Sequence, residues 1–265
     1  MAIMDVDDVF EELSDGQEID LYGEFPELYD FVYGAMSSGE KSRHARRNIP
    51  EDARVLDVAC GTGIVTAELE GLDVVGTDIN REMLETADGK LDRSPVQADM
   101  RSLPFEAEFD AVIMYGQPLS HLTDTSDVRA AAQSVYESLG EGVFVTEVFS
   151  TDIMDVNHAD PLELEKGQYK MEVKSRCRDI DPESELYEFS VGISVYRGEE
   201  SKTVTHSQKI RAFTADEIKS ILQDAGFHGV QEKDVYGNQL YHGTVAHKGV
   251  GTKEHSSLGL GFTDS

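Results

Sequence analysis

Positive charge is scarce in this sequence. Its 265 residues hold 23 lysines and arginines against 52 aspartates and glutamates, a formal net charge of −29. Such a surface repels phosphate backbones and anionic bilayers, so neither nucleic acid nor a membrane is expected as a partner. It also repels itself, and we read the balance as halophilic adaptation to a high-salt cytoplasm. The opposing reading confines the acid to the chain ends, yet Glu68, Asp73, Glu82, Asp92 and Glu106 lie well inside. Cysteine is nearly absent. Cys60 and Cys177 stand far apart, outside any metal-ligand spacing, which excludes a disulfide framework and a zinc site and fits a reducing compartment. No segment approaches the roughly 18 apolar residues of a membrane span. Met1-Ala2-Ile3-Met4-Asp5 carries no basic stretch, so no signal peptide is expected and the location is read as cytoplasmic. Internal repeats are missing too.

What is present is a strand–turn–helix signal. The run Val55-Leu56-Asp57-Val58-Ala59-Cys60-Gly61-Thr62-Gly63 passes from a buried-strand pattern into a turn of small residues. About 20 residues on, Val74-Val75-Gly76-Thr77 ends in Asp78, and Gln97-Ala98-Asp99-Met100 follows. A glycine-rich turn with a strand-end acid at that distance is how a doubly wound sheet grips a ribose-bearing ligand. The turn alone is equally a tight strand–helix connection. Asp78 can take both ribose hydroxyls or cap a helix starting at Arg81. Asp99 can accept from an exocyclic amine, and Met100 can cover a purine face. Three acid-bearing strand ends along one sheet edge carry more weight than any one of them.

The surrounding pattern supports such a sheet. Strands are predicted at 54–59, 73–78, 95–98, 109–114 and 142–149, and helices at 63–70, 81–88 and 127–139. This alternation makes a parallel sheet covered on both faces. After Phe149 the period changes to two. Tyr169, Met171, Val173, Ser175 and Cys177 alternate with Lys170, Glu172, Lys174, Arg176 and Arg178. Similar runs at 187–195 and 203–213 complete an antiparallel meander. Thr214 with Glu217 reads as a capping box and Gly226 as a helix stop, and strands at 229–235 and 240–247 finish the fold. The expected division is an acidic extension over 1–20, one domain over 21–248 with 151–213 inserted as an acceptor-side lobe, and a disordered tail over 249–265.

The series Val55–Gly63, then Gly76-Thr77-Asp78-Ile79-Asn80, then Ala98-Asp99-Met100, then Phe109-Asp110-Ala111-Val112, resembles class I S-adenosylmethionine-dependent methyltransferases. The likeness spans about residues 21–248 and leans toward the small-molecule, sugar-amine N-methyltransferase-like subgroup. It implies an α/β, Rossmann-like, doubly wound and mostly parallel seven-stranded sheet with an inserted antiparallel β-meander. Ala59 stands where the usual first glycine would be. By position, Asp57, Ala59, Gly61 and Gly63 would frame the methionine part of the cofactor. Asp78 and Ile79 would hold the ribose end, and Asp99 and Met100 would meet adenine. Dinucleotide dehydrogenases share the logic, but Ile64, Val65 and Thr66 fill the stretch where their third glycine falls.

Acceptor chemistry belongs beyond the same strand ends. The segment Met114-Tyr115-Gly116-Gln117-Pro118-Leu119-Ser120-His121 should line the transfer centre, with Tyr115 toward the cofactor and Gln117 toward the acceptor. His121, titrating near neutrality, can take a proton from an amine or hydroxyl, or simply cap the next helix. The Leu28-Tyr29-Asp30 stretch resembles the same subgroup's Tyr-Asp motif. Tyr22, Tyr29 or Tyr33 would then offer a phenol to cofactor or acceptor, or merely pack; Tyr29 is taken as catalytic beside His121. Lys174 and Arg176, joined by His206, Lys209 and Arg211, could recognise an anionic acceptor or pair with nearby acids. The expected activity is methyl transfer to a small molecule by a monomer or homodimer. The alternatives are a non-catalytic cofactor-binding sensor or partner subunit and, third, a macromolecular methyltransferase, which the charge disfavours for RNA.

Overall fold

A computed structural model of the protein describes residues 6–233, 235–236 and 240–249. The chain runs α1 (Val6–Glu12), β1 (Gln17–Glu18), α2 (Pro26–Asn48), β2 (Arg54–Val58), β3 (Asp73–Asp78), α3 (Arg81–Asp88), β4 (Val96–Gln97) and β5 (Phe109–Met114). It continues α4 (Thr125–Ser138), β6 (Leu139–Phe149), β7 (Leu162–Lys166), β8 (Tyr169–Asp181), β9 (Leu186–Arg197), β10 (Glu200–Arg211), α5 (Ala215–Asp224), β11 (His228–Glu232) and β12 (Tyr241–Lys248).

Seven strands form the central sheet in the order β11-β12-β6-β5-β2-β3-β4. β2 to β6 are parallel, and β12 and β11 add antiparallel strands at one edge. Val55, Leu56, Val58, Val112, Ile113, Phe144 and Val145 are at most 1% exposed, as expected of strands covered on both faces. One face packs on α4 and α5 through Val128, Val135, Ile218 and Leu222, the other on the end of α2 through Ala45 and Ile49. The chain winds outward through β2, β3 and β4, then returns to the other side of β2 as β5. The topological switch point therefore lies at the carboxyl ends of β2 and β5, where a crevice opens.

Local chemistry sets the helix starts. Asn80 caps α3 by accepting from Glu82 N at 3.0 Å, and Asp124 caps α4 by accepting from Ser126 N at 2.9 Å. Thr214 caps α5, accepting from Glu217 N at 3.2 Å. The expected return bond from Glu217 is not made, because its carboxylate binds Arg211 at 2.5 Å.

Two expectations are corrected. The helix predicted over 63–70 is a single 3-10 turn, Thr66–Glu68. Gly63 and Gly71 bracket it at φ +76° and +84°, which leaves no length for an α-helix. The strand predicted over 95–98 shrinks to Val96–Gln97, which pairs with β3 only through Thr77 and Asp78.

The meander forms a second sheet in the order β1-β10-β9-β8-β7. Its apolar face, with Met171, Val173, Val191, Ile193 and Val204, packs on α1 and the first half of α2. Residues 6–20 take part in this packing. Val9, Phe10 and Leu13 are buried, and β1 pairs with β10. Tail residues 250–265 lie outside the described residues.

Candidate active site

The glycine-rich loop is shaped by its backbone. Ala59, Gly61 and Gly63 hold φ of +57°, +56° and +76°. A Cβ on Gly61 would meet the Met83 methyl at 3.5 Å and the Tyr29 hydroxyl at 3.9 Å, ordinary contacts, so the positive φ rather than a lack of space favours glycine there. Ala59 tolerates a conformation that costs an L-residue on the order of 1 kcal/mol. Ala59→Gly should therefore raise unfolding stability by about 1 kcal/mol in a urea titration.

Two carboxylates order the loop. Asp78 accepts from Gly61 N at 2.9 Å and Asn80 N at 2.8 Å. Because Asn80 caps α3, Asp78 is spared that task. Asp57, 2% exposed at the end of β2, accepts from the Thr66 hydroxyl. Among the described residues it forms no salt bridge, and burial, with Asp78 nearby, pushes its carboxyl up to about 7. A buried acid in that state is stabilised by an incoming cation.

The first turns of α2 latch over this loop. The Asp30 carboxylate accepts from the Thr62 hydroxyl at 2.7 Å and pairs with Lys90, which also reaches the Thr62 carbonyl at 3.0 Å. Tyr22, Tyr29 and Tyr33 form a row, with centroids 5.6 Å and 4.6 Å apart. Burial holds their phenols protonated, Tyr22 up to about 12 and Tyr29 higher, so Tyr29 can donate a hydrogen bond but cannot serve as a phenolate base. A small pocket remains between Tyr29, Tyr33, Lys41, Asp57, Cys60 and Tyr115.

On the acceptor side, Gln117 adopts φ +58° at the start of the 3-10 turn Pro118–His121. Its amide and Gly116 N both donate to Glu147 Oε1 at 2.7 Å. His121 packs against Tyr22 at 5.9 Å. Burial, aided by His206, lowers its pKa to about 4. Burial thus favours the neutral imidazole of His121, the form that accepts a hydrogen bond.

The remaining expected residues divide. Ile79 is 60% exposed at the rim, an apolar side chain that a flat ligand would cover. Met100 is partly buried against the core. Asp99 is held by Arg101, whose Nε lies 3.0 Å from both its oxygens and whose Nη1 reaches Asp127 at 2.8 Å; this keeps Asp99 ionised. Lys174 and Arg176 pair in register with Gly192 and Ser190, on the face of β8 opposite Met171, Val173 and Cys177. They point away from the crevice. Arg211 ties the end of β10 to Thr125 at 2.8 Å and to Glu217. Strand alternation and register put Lys174 and Arg176 on the outer sheet face, while Arg211 is engaged by Thr125 and Glu217.

Three residues passed over earlier converge on the crevice. Lys41 supplies a cation to the small pocket, 3.8 Å from Glu147. Glu147 is fully buried, with its pKa raised by burial. Its one signal in the sequence is an acid inside the apolar run Val143–Phe149. Thr66 orients Asp57, and nothing in its local sequence announces that.

The strand order, the glycine-rich loop at the switch point and the carboxylates beside it define a Rossmann-like methyltransferase core. A methyltransferase-domain family model matches residues 55–142. Two bacterial proteins that carry the name Putative methyltransferase are similar to the chain. YqeM of Bacillus subtilis (strain 168) is 27% identical over 215 residues, 78% of this chain and 86% of that protein. One from Geobacillus sp. (strain WCH70) is 31% identical over 185 residues, 66% of this chain and 73% of that protein. The fold is shared with CalS10, an amino pentose methyltransferase from Micromonospora echinaspora whose solved structure holds S-adenosylmethionine. That structure aligns with a TM-score of 0.69 and 20% identity, over 87% of this chain and 99% of CalS10. The chain belongs to the S-adenosylmethionine-dependent methyltransferases of the class I fold.

Proposed function

We propose that the protein methylates a small-molecule acceptor, an amine in the first instance, from S-adenosylmethionine. The observation that carries this reading is Asp57, a fully enclosed carboxyl at the switch point without a salt-bridged cation among the described residues. The α-ammonium of the cofactor supplies that cation, and Lys41, lining the same pocket, takes the α-carboxylate. The main chain of Ala59, Gly61 and Gly63 makes room for the amino-acid tail. Asp78 takes the ribose hydroxyls, Ile79 and Met100 bracket the purine, and Asp99 accepts from its amine. Tyr22, Tyr29 and Tyr115 wall the centre and exclude water. The cofactor brings a methyl group already activated on sulfonium sulfur. The chain's share is alignment, which in favourable cases contributes roughly 7–11 kcal/mol. Neutral His121 accepts a hydrogen bond from the acceptor N–H and orients the nitrogen lone pair, with Gln117 beside it.

The amino pentose acceptor named for CalS10 favours an amino sugar. The acidic surface supports a high-salt cytoplasmic setting, which salt-titrated unfolding tests: full stability in dilute buffer would exclude it. The activity is tested by calorimetry with S-adenosylhomocysteine, followed by mass spectrometry of products from a panel of amino sugars, free and nucleotide-linked. Binding and methylated product are expected. Binding with no product from the panel or from a metabolite extract would assign the chain to a cofactor sensor instead.

A further inference from the structure

We propose that His206 is an acceptor-binding residue whose Nε2 takes a hydrogen bond from an N–H or O–H of the methyl acceptor, across the Tyr22 ring from His121. This rests on the reading that a small molecule is methylated in the crevice. His206 lies on β10, 85 positions after His121 in the chain, and is 6% exposed. Its register partner is Val191, 2% exposed, so it belongs to the inner face of the second sheet, the face turned toward α2. Its ring meets Tyr22 edge-on, with centroids 5.0 Å apart at 87°. Tyr22 in turn contacts His121 and Tyr29. The two imidazoles thus flank one tyrosine, whose ring also meets Tyr29 of the small pocket.

The two ring nitrogens of His206 have different surroundings. Nδ1 lies 3.1 Å from the Ile19 carbonyl and 3.4 Å from Leu21 N. Leu21 N–H is also aimed at Nδ1, which cannot accept from it and donate to Ile19 at once; the shorter contact, to Ile19, places the proton on Nδ1. Nε2 on the far side of the ring is then a bare acceptor, and it is buried with no hydrogen-bond partner. Leaving such an atom unpaired costs free energy, which a ligand donor would recover. Along the inner face His206 stands between buried Val204 and half-buried Gln208, which hydrogen-bonds Tyr22, so the polar side chains of this strand gather around that tyrosine. Satisfying Nε2 requires a donor, so the position selects acceptors carrying N–H or O–H and disfavours fully substituted amines.

The test uses the full chain and the panel member that the wild-type protein methylates fastest. His206→Asn keeps a polar atom near the Nδ1 position and deletes Nε2. It should raise KM for that amino sugar about tenfold, the value of one lost hydrogen bond. The dissociation constant for S-adenosylhomocysteine should stay within about twofold of wild type. His206→Gln, which returns a polar group near the Nε2 position, should recover part of the loss. An unchanged KM in His206→Asn overturns the proposal, as does a parallel loss of S-adenosylhomocysteine binding, which would mark a structural role. Should the Asn variant fail to fold, wild-type protein with 15N-labelled histidine decides. Titrating the amino sugar into the S-adenosylhomocysteine complex must shift the His206 Nε2 resonance, and no shift at saturation overturns it. If the wild-type protein methylates nothing in the panel, the small-molecule reading fails first and this proposal falls with it.

Discussion

Asp78→Ala should weaken binding of S-adenosylhomocysteine by about 100-fold or more. The carboxylate does two jobs at once. It receives Gly61 N at 2.9 Å and Asn80 N at 2.8 Å, which shape the glycine-rich loop, and in the proposed function it also accepts from the ribose hydroxyls. Two hydrogen bonds to a charged acceptor, at about 1.5 kcal/mol each at the low end, already give a factor of about 100. Asp78→Asn keeps one carbonyl acceptor and should lose less. Calorimetry measures both, and a dissociation constant within twofold of wild type in Asp78→Ala would remove the ribose assignment. The unliganded variant should also melt earlier, because two loop N–H groups lose their partner.

The affinity for the same ligand should rise with pH through neutrality, and Asp57 sets the sign. Burial holds its carboxyl at about 7 in the free protein, so at lower pH it is neutral and cannot receive the α-ammonium. Well below about 7 each pH unit should therefore cost about tenfold, with a loss of roughly 15-fold between 7 and 5.5. At higher pH the ligand's own amine loses its proton and affinity falls again. In Asp57→Asn the acid limb disappears and binding is weak throughout. Folding stability without ligand runs the opposite way. A carboxyl whose folded pKa is raised holds its proton longer in the native state, so its contribution is full below about 4 and is lost as pH rises to about 7. Calorimetry in buffers of different ionisation enthalpy reports the proton released on binding. The same affinity at pH 5.5 and 7.5 would disprove the assignment.

Several features were legible before any coordinates because their causes are local. A tight strand–helix turn needs small residues, so Ala59, Gly61 and Gly63 announce it. A strand covered on both faces needs a continuous apolar run, so β2, β3 and β5 stand out. An antiparallel sheet with one covered face needs period two, so β8 and β9 could be read almost to the residue. The same local reasoning failed for the segment after Gly63, where an amphipathic pattern suggested a helix and paired positive-φ glycines leave one 3-10 turn.

The acceptor side was far less legible. Lys174 and Arg176 have suitable chemistry, but register turns them outward. Arg211 is drawn to Glu217 and Thr125. His121 carries the right side chain with a pKa that burial moves to about 4. Lys41, Glu147 and His206 come from a helix, a central strand and an inserted sheet, and no spacing rule connects them.

The order of residues along the chain was by itself enough to determine the doubly wound core, its cofactor loop and the acids at its strand ends, because backbone conformation and side-chain period act over a few neighbouring positions. Only the tertiary structure decided which polar groups share the crevice and in what protonation state. Sheet register, the seating of α2 and the loss of water around Asp57, Glu147 and the two histidines arise from contacts between segments far apart in the chain.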